Sequence, residues 1–145
     1  MSQHEHFSCP IRVRYSEIDG QKIVFNAHYS TYIDIATTEY FRHVLGDRLQ
    51  QLADDHSFDP VLRKITLEFI KPAKLDDVLD VYCRVTKIGK SSFELNHKIM
   101  RNDELLVKAE VAQVNYDMNS GKAQVIPHKI KETLIHFEKL DLSSF

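Results

Sequence analysis

The sequence predicts an α+β fold in which an antiparallel sheet is wrapped around one long central helix. Residues 29–45 have the apolar spacing of a helix, whereas several later segments alternate with period two and are joined by short turns. Those segments have no helical pattern between them. A doubly wound fold needs such helices, so the pattern favours the antiparallel layout.

The first predicted element is a strand over residues 11–16, where apolar residues alternate with two arginines. Residues 17–27 have no clear period and predict a loop. The long helix follows, and Asn26 or His28 is placed to cap its start. Gly46 lies where a glycine commonly ends a helix.

The second half of the chain predicts a short helix over residues 47–53 and then a run of strands. The clearest alternation covers these segments: 64–69, 79–85, 92–99 and 105–116. A C-terminal helix is predicted over about residues 128–140. We therefore expect one domain over residues 1–145, with its core over about residues 9–127.

The composition is that of an ordinary globular protein. Of 145 residues, 43% are hydrophobic and 28% are charged, and the net charge is -2. This balance lacks the cationic excess of most nucleic-acid binders, so no nucleic-acid partner is expected.

The sequence also predicts a location in the cytoplasm. Residues 1–9 have no apolar stretch of the kind a signal peptide needs, and no segment is apolar enough to span a membrane. Cys9 and Cys83 form no metal-binding pair and are expected to be reduced thiols.

The stretch RVRYSEIDGQKIVFNAHYSTYIDIATTEYFR, from Arg12 to Arg42, resembles the start of the 4-hydroxybenzoyl-CoA thioesterase-like family of hotdog proteins. In that family an aromatic residue and an acidic turn precede an Asp, a short loop and Val-x-(Asn/His/Tyr)-x-x-Tyr. The matching residues here are Tyr15, Glu17, Asp19, Val24, Asn26 and Tyr29. Two later segments, LEFIKPAKLDDVLDVYCRV and KIGKSSFELNHKI, are also similar, so the resemblance covers about residues 11–127.

The resemblance implies a hotdog fold, acyl-CoA thioesterase activity and no cofactor. It also implies a homodimer or a dimer of dimers (a homotetramer), with the active site at a subunit interface. The chain departs from the family pattern at two positions. Lys22 stands where the family usually has Gly, and Thr37 stands where it usually has Arg.

Asp19 is the predicted catalytic carboxylate. Hydrolysis of a thioester needs a carboxylate, acting as nucleophile or general base, and donors for the oxyanion. A loop Asp before a helix N-terminus supplies both, although Asp19-Gly20 alone would predict only a solvated turn. Glu17 is the alternative carboxylate, and we expect it to face water or to pair with Arg12 or Arg14.

Three further residues of this stretch are candidates for the site. Asn26 is predicted to position water or to donate its amide to the thioester carbonyl, and a helix cap explains it equally well. Tyr29 is predicted to pack its ring in the core and to offer its hydroxyl to the pocket. His28 is a weaker candidate for substrate binding, because a His at a helix start is commonly a surface residue.

The phosphates of CoA are expected at a basic turn. The resemblance assigns them to a turn flanked by Lys87, Lys90, Ser91 and Ser92, although exposed lysines are also ordinary in turns. Lys71 and Lys74 form a second, weaker candidate. The histidines show no ligand spacing, so no metal site is expected.

Two alternative functions stay open at the level of the sequence. One is a hotdog hydratase or dehydratase acting on acyl thioesters, which would pair a His with a carboxylate. The other is a non-catalytic acyl-thioester-binding protein. The sequence also leaves open the acyl chain and the choice between CoA and acyl carrier protein as the thiol carrier.

Overall fold

The computed structural model describes residues 7–140 and confirms the α+β class. The elements in chain order are β1 (Phe7–Arg12), a 3-10 helix (Tyr15–Glu17), α1 (Ala27–Leu45), α2 (Arg48–Asp54), β2 (Pro60–Phe69), β3 (Val78–Ile88), β4 (Ser92–Arg101), β5 (Glu104–Asp117), β6 (Lys122–Ala123) and α3 (His128–Glu138). The ends of the expected domain, including His4 and His6, lie outside the described residues. Within residues 7–140, no helix has both the length and the apolarity to cross a membrane.

The strands form one sheet in the order β1-β3-β4-β5-β2, and β6 pairs with β5. Strand β1 lies antiparallel to β3, with Phe7 opposite Cys83 and Arg12 opposite Val78. The consecutive strands β3, β4 and β5 are neighbours because short turns join them. Strands β1 and β2 therefore lie at the two edges of this order.

The first strand begins and ends earlier than the alternation predicted. The prediction placed a strand over residues 11–16, whereas β1 is Phe7–Arg12 and a 3-10 helix occupies Tyr15–Glu17. The chain turns here because the Glu17 carboxylate accepts a hydrogen bond from the backbone N–H of Arg14 at 2.9 Å. Tyr15, predicted to alternate inward, is instead 79% exposed.

Helix α1 begins two residues before the predicted start and ends as predicted. Its C-terminus is closed by Gly46, which adopts φ +58° and donates its N–H to the carbonyl of Arg42 at 2.9 Å. A left-handed residue at this position is favourable for Gly, because a Cβ would be strained there.

The described chain divides into two compact units, each with its own core. The first comprises the residues up to Tyr40 with Thr66–Arg84 and Asn96–Ala109. Its buried apolar residues include Val13, Val24, Tyr29, Tyr32, Ile33, Ala36, Tyr40, Leu79, Val81, Ile99 and Leu106. The aromatic spacing seen in the sequence of α1 thus supplies much of this core.

The second unit comprises Phe41–Ile65, Val85–Leu95 and the residues from Glu110 onward. The rings of Phe41, Phe58 and Phe93 form a cluster in its core, with centroids 5.6–6.0 Å apart. Helix α3 packs in the same unit through the buried side chains of Ile130 and Leu134.

Asn115 is a buried polar centre of the second unit. Its Oδ1 accepts the backbone N–H of Asp59 at 2.8 Å, and its Nδ2 donates to the carbonyls of Ser57 and Val125 at 3.0 and 3.2 Å. Its backbone N–H donates to the carbonyl of Ser91 at 2.7 Å. The side chain of Asn115 is fully satisfied and joins β5 to two other segments, and its backbone N–H joins the strand to a third.

Thr37 and His97 form a buried pair in the first unit. The Thr37 hydroxyl donates to the carbonyl of Ile33 at 2.8 Å, so it accepts a hydrogen bond from His97 Nε2 at 2.9 Å. The Nδ1 atom of His97 is buried without a partner among residues 7–140. Burial lowers the pKa of His97 to about 4, so the ring is neutral at pH 7.

We expect the free energy of unfolding to fall as pH decreases from about 6.5, the pKa of an unfolded His, to about 4, the pKa of His97 in the folded protein. Between these two pH values His97 is protonated in the unfolded chain but stays neutral in the folded protein. The loss amounts to about 3 kcal/mol on the scale of 1.36 kcal/mol per pKa unit. Urea unfolding at pH 7, 5.5 and 4 measures it.

The matched variant is His97→Leu, which removes the titrating ring from the same buried position. It should flatten the pH dependence across this window, whatever its stability at pH 7. An unchanged slope in the variant would assign the pH dependence to other groups.

Candidate active site

The Asp19 loop is a small hairpin before α1. Ile18 and Val24 form an isolated antiparallel bridge. Between them the N–H of Asp19 donates to the carbonyl of Ile23 at 2.9 Å, and Asp19 Oδ1 accepts the N–H of Gln21 at 2.8 Å. The carboxylate of Asp19 is therefore held by one oxygen at the base of a tight turn, and the residue is partly exposed.

Lys22 completes this turn in a conformation that usually belongs to Gly. Its φ is 66°, and its N–H donates to the carbonyl of Asp19 at 2.9 Å. A left-handed conformation costs a non-glycine residue about 1–2 kcal/mol. The loop thus has a left-handed residue at the position where the resembling family has Gly.

The loop is tied to the connection between β2 and β3. The N–H of Val24 donates to the carbonyl of Ala73 at 2.9 Å, and Ile23 forms an isolated bridge with Lys74. The N–H of Ala73 in turn donates to the Tyr29 hydroxyl at 3.1 Å. The same short segment therefore contacts both the Asp19 loop and the first turn of α1.

An ion-pair network holds that connection in place. Arg101 Nη1 lies 2.7 Å from Asp77 Oδ2, and Arg101 Nη2 lies 3.0 Å from Glu104 Oε1. Lys71 Nζ donates to the other oxygen of Glu104 at 2.9 Å. Lys71, a candidate for phosphate binding, is therefore engaged with a carboxylate.

Glu17 is buried and does not face water. It is 3% exposed and pairs with Arg14 at 2.6 Å, as one of the predicted alternatives had it. Burial by itself would raise the pKa of Glu17, but hydrogen bonds from Arg14 and Tyr32 outweigh it and hold the pKa below its usual range. Both carboxylate oxygens accept hydrogen bonds from these partners, which removes Glu17 as an attacking group.

Asn26 immediately precedes α1 without capping it through its side chain. The N–H groups that a capping side chain would bind already donate to backbone carbonyls. The N–H of His28 donates to the carbonyl of Phe25 at 2.9 Å, and the N–H of Tyr29 donates to the carbonyl of Asn26 at 3.3 Å. Across residues 7–140 the Asn26 carboxamide has no hydrogen-bond partner. His28 is the second residue of α1, so it cannot be the cap, and its ring contacts Phe25.

Tyr29 packs its ring in the core, as predicted. It is 2% exposed, and its ring centroid lies 6.0 Å from that of Tyr32 and 5.4 Å from that of Phe69. Burial raises the pKa of the Tyr29 phenol, and the charges of Asp77 and Asp19 add to the rise.

The second unit has a pocket of about 480 Å³ beside α3. Its lining residues are Lys87, Ile88, Gly89, Lys90, Val125, Ile126, His128 and Lys131. Lys87 and Lys90 come from the predicted basic turn, whereas His128 and Lys131 come from α3 and were missed. The signal for them was a pair of basic residues three apart, directly after the Pro that starts a helix.

Ser91 and Ser92 do not line this basic pocket. The carbonyl of Ser92 accepts the N–H of Gly89 at 2.7 Å, and the carbonyl of Ser91 accepts the N–H of Asn115. The N–H of Ile126 donates to the carbonyl of Lys90 at 2.9 Å. The backbone of the turn therefore holds Lys90 beside residues 125–126, and the two serines shape the turn.

The basic pocket combines a cationic rim with an apolar floor. Lys87, Lys90 and Lys131 surround Ile88, Val125 and Ile126. The described lining residues include no Asp or Glu, although the ring of His128 pairs with the carboxylate of Glu132. The N-terminus of α3 adds the positive end of a helix dipole. This arrangement suits an anion attached to an apolar group. Among residues 7–140 no group of three or more His, Cys, Asp or Glu is arranged to hold a metal ion.

Comparison with known proteins identifies the family. Residues 21–108 match the model of the thioesterase superfamily. The chain is 30% identical over 132 residues to the acyl-CoA thioesterase YbgC of Haemophilus influenzae, covering 91% of this chain and 96% of that protein. It is 32% identical over 125 residues to the acyl-CoA thioester hydrolase YbgC of Escherichia coli O6:H1, covering 86% of this chain and 92% of that protein.

Solved structures agree in fold. A thioesterase from Thermus thermophilus, complexed with coenzyme A and Zn, aligns with a TM-score of 0.79 at 24% identity, over 98% of this chain and 100% of that chain. A hypothetical protein from Aquifex aeolicus aligns with a TM-score of 0.80 at 26% identity, over 88% of this chain and 98% of that chain. The chain belongs to the thioesterase superfamily. The predicted hotdog fold and the prediction of a thioester hydrolase are thereby confirmed.

Proposed function

We propose that this protein hydrolyses acyl-CoA to a free acid and CoA, with Asp19 as the catalytic carboxylate. The observation that carries the assignment is the contrast between two acidic residues in one loop. Glu17 is buried and saturated with hydrogen bonds, whereas Asp19 is partly exposed and its carboxylate accepts the N–H of Gln21 through one oxygen. The activity of the YbgC relatives supports the substrate class.

Asp19 would act either by deprotonating a water or by attacking the thioester carbonyl itself. In the first route the water oxygen bonds to the carbonyl carbon and its proton passes to Asp19. The C–S bond then breaks, and Asp19 gives that proton to the leaving sulfur, so that CoA departs as the thiol and the carboxylate is restored. In the second route the Asp19 carboxylate attacks the carbonyl carbon, the C–S bond breaks and the CoA thiolate leaves, so that the acyl group is held on Asp19 as an anhydride. Water then cleaves the anhydride, which releases the acid and restores the Asp19 carboxylate.

The oxyanion would be stabilised at the start of α1. Among the described residues, the N–H groups of Asn26 and Ala27 and the Asn26 carboxamide have no acceptor. These donors lie at the positive end of a 19-residue helix, where negative charge is favoured. Tyr29 supports the same region through its hydroxyl, and His28 is proposed only as a substrate contact.

The CoA nucleotide is proposed to bind at the basic pocket. Lys87, Lys90 and Lys131 supply positive charge for phosphates, and the apolar floor suits a purine ring. Ser91 and Ser92 contribute by fixing the turn. An acyl carrier protein would present a phosphopantetheine arm without the nucleotide, so this pocket favours CoA as the carrier.

The hydratase alternative has less support. It would require a His beside the catalytic carboxylate, and the His28 ring contacts Phe25. Within residues 7–140 no His is hydrogen-bonded to Asp19. An assay of thiol release from a panel of acyl-CoAs distinguishes hydrolysis from a non-catalytic role, because a binding protein would release no thiol. The same assay identifies the preferred acyl chain.

We also infer that the chain works as a single domain in a homodimer or a dimer of dimers that pairs through β2. The edge strand β1 has six residues and contains Pro10, which cannot donate to a neighbouring strand. Strand β2 has ten residues, with Pro60 at its first position, and exposes the apolar side chains of Leu62 and Phe69. A long edge of this kind favours pairing with a second copy.

Apolar side chains around the Asp19 loop support the same assembly. In the first unit Tyr15, Phe25, Leu75 and Val78 are all substantially exposed. The first two flank the Asp19 loop, and Leu75 follows the segment that pairs with it. A second subunit over this surface would bury it and enclose the acyl group.

Asp19→Asn should reduce turnover of acyl-CoA by about a hundredfold or more, because the amide neither attacks nor takes a proton. Thiol release from acyl-CoA measures the loss, and circular dichroism checks the fold. Asp103→Asn is the matched control, since Asp103 is an exposed residue of the β4–β5 turn. Near-native turnover by folded Asp19→Asn would contradict the site assignment.

Lys90→Glu should raise KM for acyl-CoA about tenfold while leaving KM for an acyl-pantetheine almost unchanged, because only the nucleotide carries the phosphates that Lys90 contacts. Steady-state kinetics on the two substrates measures the difference. Lys108→Glu makes the same charge change on an exposed residue of β5. An equal change in KM for both substrates would show that Lys90 does not bind the phosphates and is an ordinary exposed residue of a turn.

Sedimentation at assay concentration should give at least twice the mass of one chain. Leu62→Lys should raise the dissociation constant of the dimer at least about tenfold, because it places a charge on the pairing edge. Met118→Lys places the same charge on another exposed apolar residue, which follows β5, and should have no such effect. A fully active monomer would rule out a site shared between subunits.

A further inference from the structure

The buried carboxylate of Glu17 has no place in the proposed chemistry, yet it lies two residues before Asp19. It is 3% exposed, and the Arg14 guanidinium that neutralises it is largely exposed. A buried ion pair is weak evidence for stability, since apolar side chains of similar volume often serve as well. Stability alone therefore does not explain why a buried carboxylate lies beside the Asp19 loop.

Glu17 accepts four hydrogen bonds from two partners. Its Oε1 accepts the backbone N–H of Arg14 at 2.9 Å and the hydroxyl of Tyr32 at 2.7 Å. Its Oε2 accepts Arg14 Nε at 2.9 Å and Nη2 at 2.6 Å. Tyr32 belongs to the second turn of α1, so one carboxylate joins the 3-10 helix to α1.

The backbone of Glu17 closes the other side of the same loop. Its carbonyl accepts the N–H of Phe25 at 2.9 Å, two residues before α1 begins. The Asp19 loop therefore begins after Glu17 and is closed by the bond between Phe25 and the Glu17 carbonyl. The side chain of Glu17 is in turn hydrogen-bonded to Tyr32 of α1. The distance between the Asp19 carboxylate and the N–H groups at the start of α1 therefore depends on Glu17.

Tyr29 supports this geometry from the neighbouring turn of the helix. Its ring lies edge-on against that of Tyr32, and its hydroxyl accepts the N–H of Ala73. The carbonyl of Ala73 accepts the N–H of Val24 on the returning side of the loop. Two buried tyrosines of α1 therefore hold the two sides of the loop, one directly and one through Ala73.

We propose that Glu17 is a positioning residue for the reaction: with Tyr32, it holds the Asp19 loop at a fixed distance from the start of α1 and thereby sets kcat. This inference rests on the proposed function of Asp19. Misplacement of a catalytic group by about 1 Å can cost up to about a hundredfold in rate, so loosening this support lowers kcat. The nucleotide of CoA is proposed to bind at the basic pocket, away from Glu17, so KM for acyl-CoA should change little.

The test compares Glu17→Gln and Tyr32→Phe with Thr37→Val. The last variant also removes a buried hydrogen-bonding hydroxyl from α1, but one that contacts Ile33 and His97 rather than the loop. Each is assayed with acyl-CoA, with kcat expressed per folded chain and thermal melting measured in parallel. Glu17→Gln should lose at least about tenfold in kcat with KM within about twofold.

Tyr32→Phe should show the same split with a smaller loss, and Thr37→Val should melt earlier without losing kcat. If folded Glu17→Gln and Tyr32→Phe keep the wild-type kcat while Asp19→Asn is inactive, the positioning role is overturned and the proposed function stands. If Glu17→Gln does not fold, Tyr32→Phe decides by the same criterion. Full activity of Asp19→Asn would instead overturn the proposed function.

Discussion

The buried face of α1 contains tyrosines whose hydroxyl groups must find partners inside the protein. Tyr32 meets this requirement by donating to Glu17, and Tyr29 by accepting from the backbone of Ala73. A buried phenol without a partner would cost free energy comparable to a lost hydrogen bond. One partner, Glu17, precedes the Asp19 loop, and the other, Ala73, is hydrogen-bonded to Val24 on the returning side of the loop, so core packing and loop geometry have a common origin.

The two acidic residues of the loop lie in different environments, although only one residue separates them. Burial would disfavour the charge on Glu17, but its hydrogen bonds to Arg14 and Tyr32 keep it ionised and fully occupied. Asp19 is partly exposed, and one oxygen of its carboxylate accepts a hydrogen bond from the N–H of Gln21. Only the second environment leaves a carboxylate available to a water or a thioester.

Local periodicity was sufficient to predict α1, α3, β3, β4 and β5, because each repeats buried residues at regular spacing. It also predicted β2, although none of the residues of that strand is fully buried. It misplaced the first strand, because the turn at Tyr15–Glu17 depends on a side chain that folds back onto the backbone of Arg14. It also missed the contribution of Lys131, since the basic pocket joins segments about forty residues apart in sequence. The spacing of His128 and Lys131 indicates that they share a face of a helix, but it does not indicate which turn that face meets.

The two departures from the family pattern are accommodated by local chemistry. Lys22 adopts φ 66° where Gly is usual, and the hydrogen bonds of the turn around Asp19 compensate for the strained backbone. Thr37, where Arg is usual, is satisfied by Ile33 and by His97, which stays neutral because it is buried. A charged Arg at position 37 would face a buried neutral ring that offers it no counter-ion. The exchange of an arginine for a small hydroxyl therefore suits the buried His97, and both departures leave the position of Asp19 before α1 intact.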